Sequence, residues 1–204
     1  MVTAKLNIEI GKSSVGKWIH ENFNIPVIDA DLLGHRAYLP GTECFKGVVA
    51  TFGTDVVDAN GNIDRKALGG KVFGNKEEMK KLTDLVYPEI QSLAVQEFKK
   101  LAESTSLLCF FEAAVLIEAG WSHLVNELWV VIVEPETAIA RLMNRNKIDE
   151  TAAKARLSSQ ITNEERTAVA DVVIENNGSI EELLAKLQEL LASKFGLRIK
   201  TAKI

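Results

Sequence analysis

The chain has 204 residues, enough for one well-packed core with room for an inserted lid. Its hydrophobic fraction of 47% and charged fraction of 25% are those of an ordinary soluble globular protein. A net charge of -4 gives no general attraction to nucleic acid, and no apolar run is long enough to span a bilayer. We therefore expect no nucleic-acid partner and no membrane span, and the composition singles out no protein partner.

The two cysteines, Cys44 and Cys109, form neither a metal-binding spacing nor a disulfide framework. Cys109 lies in an apolar, strand-like run, which is typical of a small core residue in a protein from a reducing compartment. The beginning of the sequence shows no signal-peptide pattern. These features predict a cytoplasmic or mitochondrial-matrix protein.

In chain order, apolar runs alternate with helical patterns, which is typical of an α/β fold with a parallel sheet. The later runs are apolar almost throughout, as expected for strands that are buried on both faces of a sheet. A last amphipathic helix is predicted over 179–194, where leucine recurs at helical spacing. The strand-like runs lie at 4–10, 25–31, 106–113, 127–134 and 171–176, and the first helix is expected over 14–23.

Two stretches between the strands carry helical patterns. No strand is evident in 42–104, where Asn75 followed by acidic residues indicates the N-cap of a long helix. Basic and acidic residues alternate through 135–168, which indicates a second helical insertion. The sheet is therefore expected to be interrupted twice by helices.

The most informative short motif follows the first strand and precedes the first helix. A phosphate-binding loop uses glycines to point backbone N–H groups at a phosphate, a lysine for the β and γ oxygens, and a hydroxyl for Mg²⁺. In the pattern G-x-x-x-x-G-K-[ST], however, the first glycine would fall on Leu6, and residues 1–10 contain no glycine. The motif consists of Gly11, Lys12, Ser13 and Ser14.

A second frame of the motif begins at Gly11 and finds its other glycine and its lysine at Gly16 and Lys17. This frame places Trp18 where the hydroxyl that binds magnesium is required. The residues alone therefore leave open both a phosphate site and a plain strand–turn–helix connection.

Four stretches that occur in one order resemble dephospho-CoA kinase, and the likeness looks closest to the kinase domain of the eukaryotic bifunctional coenzyme A synthases. The stretches are VIDADLLGHRAY, FGTDVVDANGNIDRKALGGKVFGN, EAAVLIEAGW and ADVVIENNGS, and the resemblance covers about residues 11–190. That family implies a P-loop nucleoside-triphosphate hydrolase or kinase fold. Its parts are a five-stranded parallel sheet flanked by helices, a helical CoA-binding region and a mobile lid.

The resemblance implies one kinase-like domain over 1–204, with the substrate region at about 42–104 and the lid at about 135–168. The remaining core would consist of about 1–41, 105–134 and 170–204. The implied activity transfers the γ-phosphoryl group of ATP to the ribose 3′-hydroxyl of dephospho-CoA, giving CoA and ADP. ATP and Mg²⁺ are the implied cofactors, and dephospho-CoA or CoA is the implied small-molecule ligand.

The resemblance also selects the first frame of the phosphate motif. In the family, the loop lysine precedes the second Asp of an Asp-x-Asp motif by a distance close to the 19 residues between Lys12 and Asp31, whereas Lys17 is 14 residues away. Lys12 is then a catalytic residue, and the other loop glycines of the family have no counterpart, so the loop is shortened. The implied phosphate-binding residues are Gly11, Lys12, Ser13 and Ser14, and Ser13 would also bind magnesium.

Asp29 and Asp31 end a short strand, and open α/β sheets bind ligands at the carboxyl ends of their strands. The resemblance implies that Asp31 is the base for the attacking hydroxyl, and that Asp29 binds substrate or serves the magnesium shell. It also implies that Arg36 directs a cation at substrate phosphate. On the residues alone, the alternatives are capping of a helix that starts near Leu32 and a surface role for Arg36.

Further site residues are implied near the later strands. Arg141 and Arg145 match the lid and would stabilise the charge of phosphoryl transfer, with Arg145 as a catalytic residue, although alone they fit a solvated helix face. Glu112 would hold a magnesium water, and a helix cap is the alternative. Asn177 and Gly178 resemble the adenine-side loop, although alone they indicate only a turn.

Three functions remain open on this sequence. The leading hypothesis is an active dephospho-CoA kinase. The alternative is a kinase-fold protein that no longer transfers phosphate and serves as a binding or assembly subunit, which only the shortened loop favours. A third hypothesis is another nucleotide or nucleoside kinase.

Overall fold

The computed structural model describes residues 2–8, 12–103 and 108–199, with side chains described from residue 15 onward. These residues form five strands, nine α-helices and two short 3₁₀ helices. The strands are β1 (Val2–Ile8), β2 (Val27–Asp29), β3 (Leu108–Glu112), β4 (Glu127–Ile132) and β5 (Val172–Glu175). The helices are α1 (Lys12–Phe23), α2 (Ala30–Ala37), α3 (Glu43–Phe52), α4 (Arg65–Val72), α5 (Lys76–Glu103), α6 (Pro135–Asn146), α7 (Glu150–Ser158), α8 (Asn163–Val169) and α9 (Ile180–Phe195).

The first of two compact units, residues 1–28 and 106–204, is built on a sheet with the strand order β2-β3-β1-β4-β5. β1 pairs in parallel with β3 and with β4, and β4 pairs in parallel with β5. Parallel neighbours require a crossover connection, which explains why helical segments separate the strands along the sequence. The predicted α/β fold with a five-stranded parallel sheet is confirmed, since each strand overlaps one of the five expected runs.

The core of this unit is formed by residues of α1, β3, β4, β5 and α9. Phe110 of β3 and Trp129 of β4 meet edge to face with 5.8 Å between ring centroids. Ile19 of α1 and Leu187 of α9 are almost completely buried in the same cluster. Such an aromatic pair contributes about 0.5–1.5 kcal/mol beyond the area that it buries. Cys109 is buried as well, so its interpretation as a core residue is confirmed.

The second unit, residues 29–105, is helical where it is described. Helix α5 is 28 residues long and packs against α2, α3 and α4. Asn75 accepts hydrogen bonds from the backbone N–H groups of Glu77 and Glu78, which confirms it as an N-cap. Apart from one isolated bridge, the described residues of 42–104 form no strand, as the sequence predicts.

The stretch 135–168 forms three helices, α6, α7 and α8. Lys147 ends α6 in the left-handed conformation, with φ of 54°. Asp149 caps α7, and Thr162 and Glu165 form a reciprocal capping box at the start of α8. Local capping signals therefore fix where α7 and α8 begin. In the described ranges, no helix is both long enough and apolar enough to cross a membrane.

Candidate active site

Helix α1 begins at Lys12, directly after the central strand β1 and its connection. β1 lies between β3 and β4, which is the point where the strand order reverses and where open α/β sheets bind ligands. The first turn of a helix presents N–H groups without helical partners and the positive end of the helix dipole to an anion. Gly11 and the side chains of Lys12, Ser13 and Ser14 lie outside the described residues, so their contacts with phosphate stay predictions.

The second frame of the phosphate motif is inconsistent with the helix. Gly16 and Lys17 lie inside α1, and Lys17 pairs with Glu21 one turn later at 3.7 Å on the exposed face. A Cβ atom added to Gly16 would lie 2.5 Å from Oε2 of Glu112. Gly16 is therefore a site of close contact between α1 and a carboxylate, and the frame that starts α1 at Lys12 is the one that the helix supports.

Glu112 is the last residue of β3 and is only 8% exposed. In the parallel register it lies opposite Leu6 of β1, and its carboxylate packs against the backbone of α1 at Gly16. Residues 114–120 form turns, so no α-helix follows that Glu112 could cap. A buried carboxylate at the carboxyl end of a strand is consistent with the predicted magnesium role, which stays a prediction.

Asp29 and Asp31 have different environments at the start of α2. Asp29 is the N-cap, and its Oδ1 accepts hydrogen bonds from the N–H groups of Asp31 at 2.8 Å and Leu32 at 3.3 Å. The capping alternative is therefore correct for Asp29, and one of its carboxylate oxygens is already engaged. Asp31 is exposed in the first turn, and no group in the described part of the chain donates a hydrogen bond to its carboxylate.

Arg36 lies on the same helix and forms an ion pair within the second unit. Its Nη1 donates to Oε1 of Glu97 at 2.8 Å, and Lys100 approaches the same oxygen at 3.2 Å. Hydrogen bonds from Arg36 and then Lys100 hold the pKa of Glu97 below its usual range. Arg36 remains 45% exposed, so a substrate phosphate would have to share the guanidinium with Glu97.

The loop after β5 is held by side chains that are distant in sequence. Nη1 of Arg141 donates to the carbonyl of Asn176 at 2.8 Å, and Nη2 donates to the carbonyl of Gly178 at 2.7 Å. The amide oxygen of Asn177 accepts from the backbone N–H of Glu134 at 2.8 Å. Arg141 therefore joins α6 to the loop for which the resemblance predicts contact with the adenine.

Gly178 lies in this loop close to the carboxylate of Glu182. We expect a glycine at a tight turn to adopt positive φ, but Gly178 is absent from the positive-φ glycines of the described residues. A Cβ atom added there would instead collide with the carboxylate of Glu182 on α9. Glu182 is exposed, so a side chain at position 178 would require only that the Glu182 carboxylate move aside.

Arg145 lies at the end of α6, where its Nε donates to the amide oxygen of Asn146 at 2.9 Å. It lines a small cavity of about 60 Å³ together with Arg166 of α8. Arg166 is buried, and sequence reasoning missed it because it follows two glutamates in a charged run that is typical of a solvated helix face. No signal in the sequence alone would have distinguished it.

The structure thus brings the predicted residues into two groups, each within one unit. Arg141, Asn177 and Gly178 meet at the loop after β5, while Asp29 and Arg36 accompany Asp31 on or beside α2. In the described ranges, no three His, Cys, Asp or Glu side chains cluster closely enough to hold a metal ion by themselves. A magnesium ion here would depend on few protein ligands, as is usual when phosphates and waters complete its shell.

The family model, the curated relatives and one of the solved structures reported below name the same family. The sequence profile of the dephospho-CoA kinases matches residues 2–182. A dephospho-CoA kinase from Geobacter sulfurreducens is 40% identical over 188 residues, which cover 92% of this chain and 95% of that protein. A crystal structure from Thermus thermophilus has a TM-score of 0.75 at 30% identity and covers 96% of this chain and 98% of its own. A dephospho-CoA kinase from Campylobacter jejuni has a TM-score of 0.69 at 27% identity, with coverage of 96% and 97%.

These likenesses extend over nearly the whole chain and nearly the whole of each relative. They confirm the resemblance to the dephospho-CoA kinases and the P-loop kinase fold. They give no support to a kinase-fold subunit without activity or to another nucleotide or nucleoside kinase. The closer likeness to the eukaryotic kinase domain, the effect of the shortened loop and the cellular compartment stay hypotheses.

Proposed function

Because the chain belongs to the dephospho-CoA kinase family, we propose that it transfers the γ-phosphoryl group of ATP to the ribose 3′-hydroxyl of dephospho-CoA. The products are CoA and ADP. The observation that carries this proposal is the family match over residues 2–182, supported by 40% identity to a relative of nearly the same extent. The geometry of the two groups of polar residues supports separate roles, one in binding the acceptor and one in binding the nucleotide.

Asp31 is proposed as the base on the acceptor side. A general base must be able to reach the proton that it removes, and the Asp31 carboxylate is exposed and accepts no hydrogen bond within the described residues. Asp29, by contrast, holds the start of α2 and thereby fixes the backbone that carries Asp31. We assign Asp29 a positioning role, with its second oxygen left for substrate or for a magnesium-bound water.

The nucleotide side is proposed to combine the start of α1 with the lid arginines. The N-terminal N–H groups of α1 and Lys12 would bind the phosphates, and Arg145 would stabilise charge on the oxygens of the transferred group. Arg141 is proposed as a positioning residue, because both of its hydrogen-bonded nitrogens hold the backbone of the loop that meets the adenine. That loop carries Asn177 and Gly178.

Magnesium is the cation that this chemistry uses, and the residues present fit it. Glu112 supplies a carboxylate at the carboxyl end of β3 and against α1, and oxygen ligands are those that Mg²⁺ prefers. We propose that Glu112, through water, and the Ser13 hydroxyl hold the ion. When bound, it neutralises negative charge on the β and γ phosphates.

The reaction is tested directly by incubating the chain with ATP, Mg²⁺ and dephospho-CoA and separating the products by chromatography. We expect equal amounts of CoA and ADP. The matched control replaces dephospho-CoA by CoA, whose 3′-position already carries a phosphate, and should give no ADP above background. ADP formation that does not depend on dephospho-CoA would contradict the proposed acceptor.

Acceptor binding can be tested without turnover. Calorimetry with dephospho-CoA or CoA at millimolar concentration should give heat and an increase in melting temperature, because a ligand that binds only the folded state stabilises it. No heat and no thermal shift with either compound would remove the substrate assignment, whatever the affinity for ATP.

A further inference from the structure

Arg166 of α8 carries a charge into the interior of the first unit. Only 5% of its surface is exposed. The capping box fixes the start of α8, and Nδ2 of Asn163 donates to the carbonyl of Val133 at 2.9 Å, which ties this helix to the end of β4. A guanidinium stays protonated throughout the physiological pH range and has five N–H donors. The position therefore offers a permanent positive charge on a rigid element.

A cavity of about 720 Å³ lies beside Arg166, lined by the end of β4 and by residues of α7 and α8. Its volume is in the range of about 300–1,000 Å³ that is typical of small-molecule sites. The smaller cavity of about 60 Å³ shares Arg166 and Leu157 with it and adds Arg145. Arg145 from α6 and Arg166 from α8 thus both line the small cavity, and Arg166 lines the large one as well.

The charged side chains that line the large cavity differ in how deeply they are buried. Glu134 and Glu164 line it but are exposed, whereas Arg166 is buried. Lys154 also lines it, and its ammonium pairs with Glu150 of the same helix at 2.7 Å. Arg166 is therefore the buried charged side chain among the residues that line this cavity. A planar guanidinium can bind phosphate through two parallel hydrogen bonds.

We propose that this cavity is a phosphate subsite in which Arg166 binds a phosphate group of a substrate, next to Arg145. This inference rests on the proposed function, which supplies two sources of the same chemistry: the triphosphate of ATP and the diphosphate of dephospho-CoA. Arg166 is then a further catalytic residue, because it touches the phosphates of a reactant.

The test measures binding of ATP and of dephospho-CoA separately by calorimetry. Arg166→Lys keeps the charge and removes the two-pronged contact, so we expect at least a tenfold loss of affinity for one of the two ligands, equivalent to about 1.4 kcal/mol. Arg156→Lys is the matched control, since Arg156 is exposed on α7, and should bind both ligands like the unmodified chain. A loss for ATP alone assigns the subsite to the nucleotide, and a loss for dephospho-CoA alone assigns it to the acceptor.

A second variant tests the same cavity without substituting a buried residue. Ser158 is exposed and lines the large cavity, so Ser158→Trp should fill the cavity without disturbing the core and weaken the same ligand as Arg166→Lys. Unchanged affinities in both variants, or no binding of either ligand by the unmodified chain, would overturn the subsite. Binding that depends on Arg166 in a chain that makes no CoA would contradict the proposed function and support the subsite.

Discussion

The start of helix α2, at residues 29–32, and the segment 132–178 differ in how their polar side chains are used. At the start of α2, Asp29 accepts hydrogen bonds from backbone N–H groups two and three residues away, and Asp31 is exposed. In the segment, Arg141 reaches carbonyl groups 35 and 37 residues away, and Asn177 accepts a hydrogen bond from a backbone N–H 43 residues away. Asp29 thus holds the start of α2 through local contacts, whereas Arg141 and Asn177 hold the loop after β5 through long-range contacts.

This difference predicts which substitutions should change turnover alone and which should change stability as well. A change at Asp31 removes no hydrogen bond accepted by its carboxylate within the described residues, so its effect should appear in turnover alone. A change at Arg141 leaves two loop carbonyls without their donors, so stability and nucleotide binding should change together. The predictions that follow test this contrast, beginning with the largest expected effect.

Completion of the phosphate loop should raise the affinity for ATP and leave the affinity for dephospho-CoA unchanged. A glycine-rich segment inserted directly before Gly11, so that the chain reads G-x-x-x-x-G-K-S, adds aligned N–H donors ahead of α1. Two or three charge-assisted hydrogen bonds correspond to roughly a 10³-fold gain in ATP affinity. Calorimetry with ATP and with dephospho-CoA measures this, and the affinity for dephospho-CoA should stay the same. Micromolar ATP affinity in the unmodified chain would show that the short loop already suffices.

Asp31→Asn should lower kcat by roughly 10²-fold, because the amide cannot accept the proton of the attacking hydroxyl. The KM values for both substrates and the melting temperature should stay close to those of the unmodified chain. Asp84→Asn, on the exposed face of α5, is the matched control and should leave kcat unchanged. Steady-state kinetics with full turnover in Asp31→Asn would end the assignment of the base.

Arg141→Lys should raise the KM for ATP by about tenfold, because one ammonium cannot hold both loop carbonyls in the geometry of the guanidinium. It should also lower the free energy of unfolding by about 1–2 kcal/mol, measured by urea denaturation. The exposed Arg156→Lys change should do neither. A normal KM for ATP together with lower stability would make Arg141 a purely structural residue.

The smallest effect concerns Arg36 and the stability of the second unit. Glu97 has a lowered pKa in the folded state, so its ion pair contributes stability above the unfolded pKa of about 4.3, and this is lost as pH falls through the folded pKa. Arg36→Gln should therefore cost less than about 1 kcal/mol at pH 7 and nothing at strongly acid pH. Urea denaturation across pH measures this. A large rise in the KM for dephospho-CoA would show that Arg36 binds substrate in addition.

Much of the fold could be predicted because its signals are local. The strands are apolar runs, and Asn75 marks the start of α5 because its side chain caps the helix. The contacts that complete the site are long-range and leave no such signal. Gly16 meets Glu112 across nearly a hundred residues, and the partners of Arg141 are backbone carbonyls, which any sequence would provide.

The burial of Arg166 is another feature that the sequence alone does not predict. Arginine is almost never fully buried, so a charged run such as 163–166 indicates a solvated helix. Only the packing of α8 beside the end of β4 buries this side chain and gives it a cavity. Asp29 is an intermediate case, because the sequence suggests both a cap and a ligand, and the structure decides for the cap.

The contrast between the two regions is tested most directly by measuring kcat and both KM values for Asp31→Asn and Arg141→Lys side by side. The assay is the formation of CoA from dephospho-CoA, with each substrate varied in turn. We predict that Asp31→Asn loses kcat with both KM values unchanged, and that Arg141→Lys raises the KM for ATP while the KM for dephospho-CoA stays the same. A raised KM for dephospho-CoA in Arg141→Lys, or an unchanged kcat in Asp31→Asn, would contradict this account.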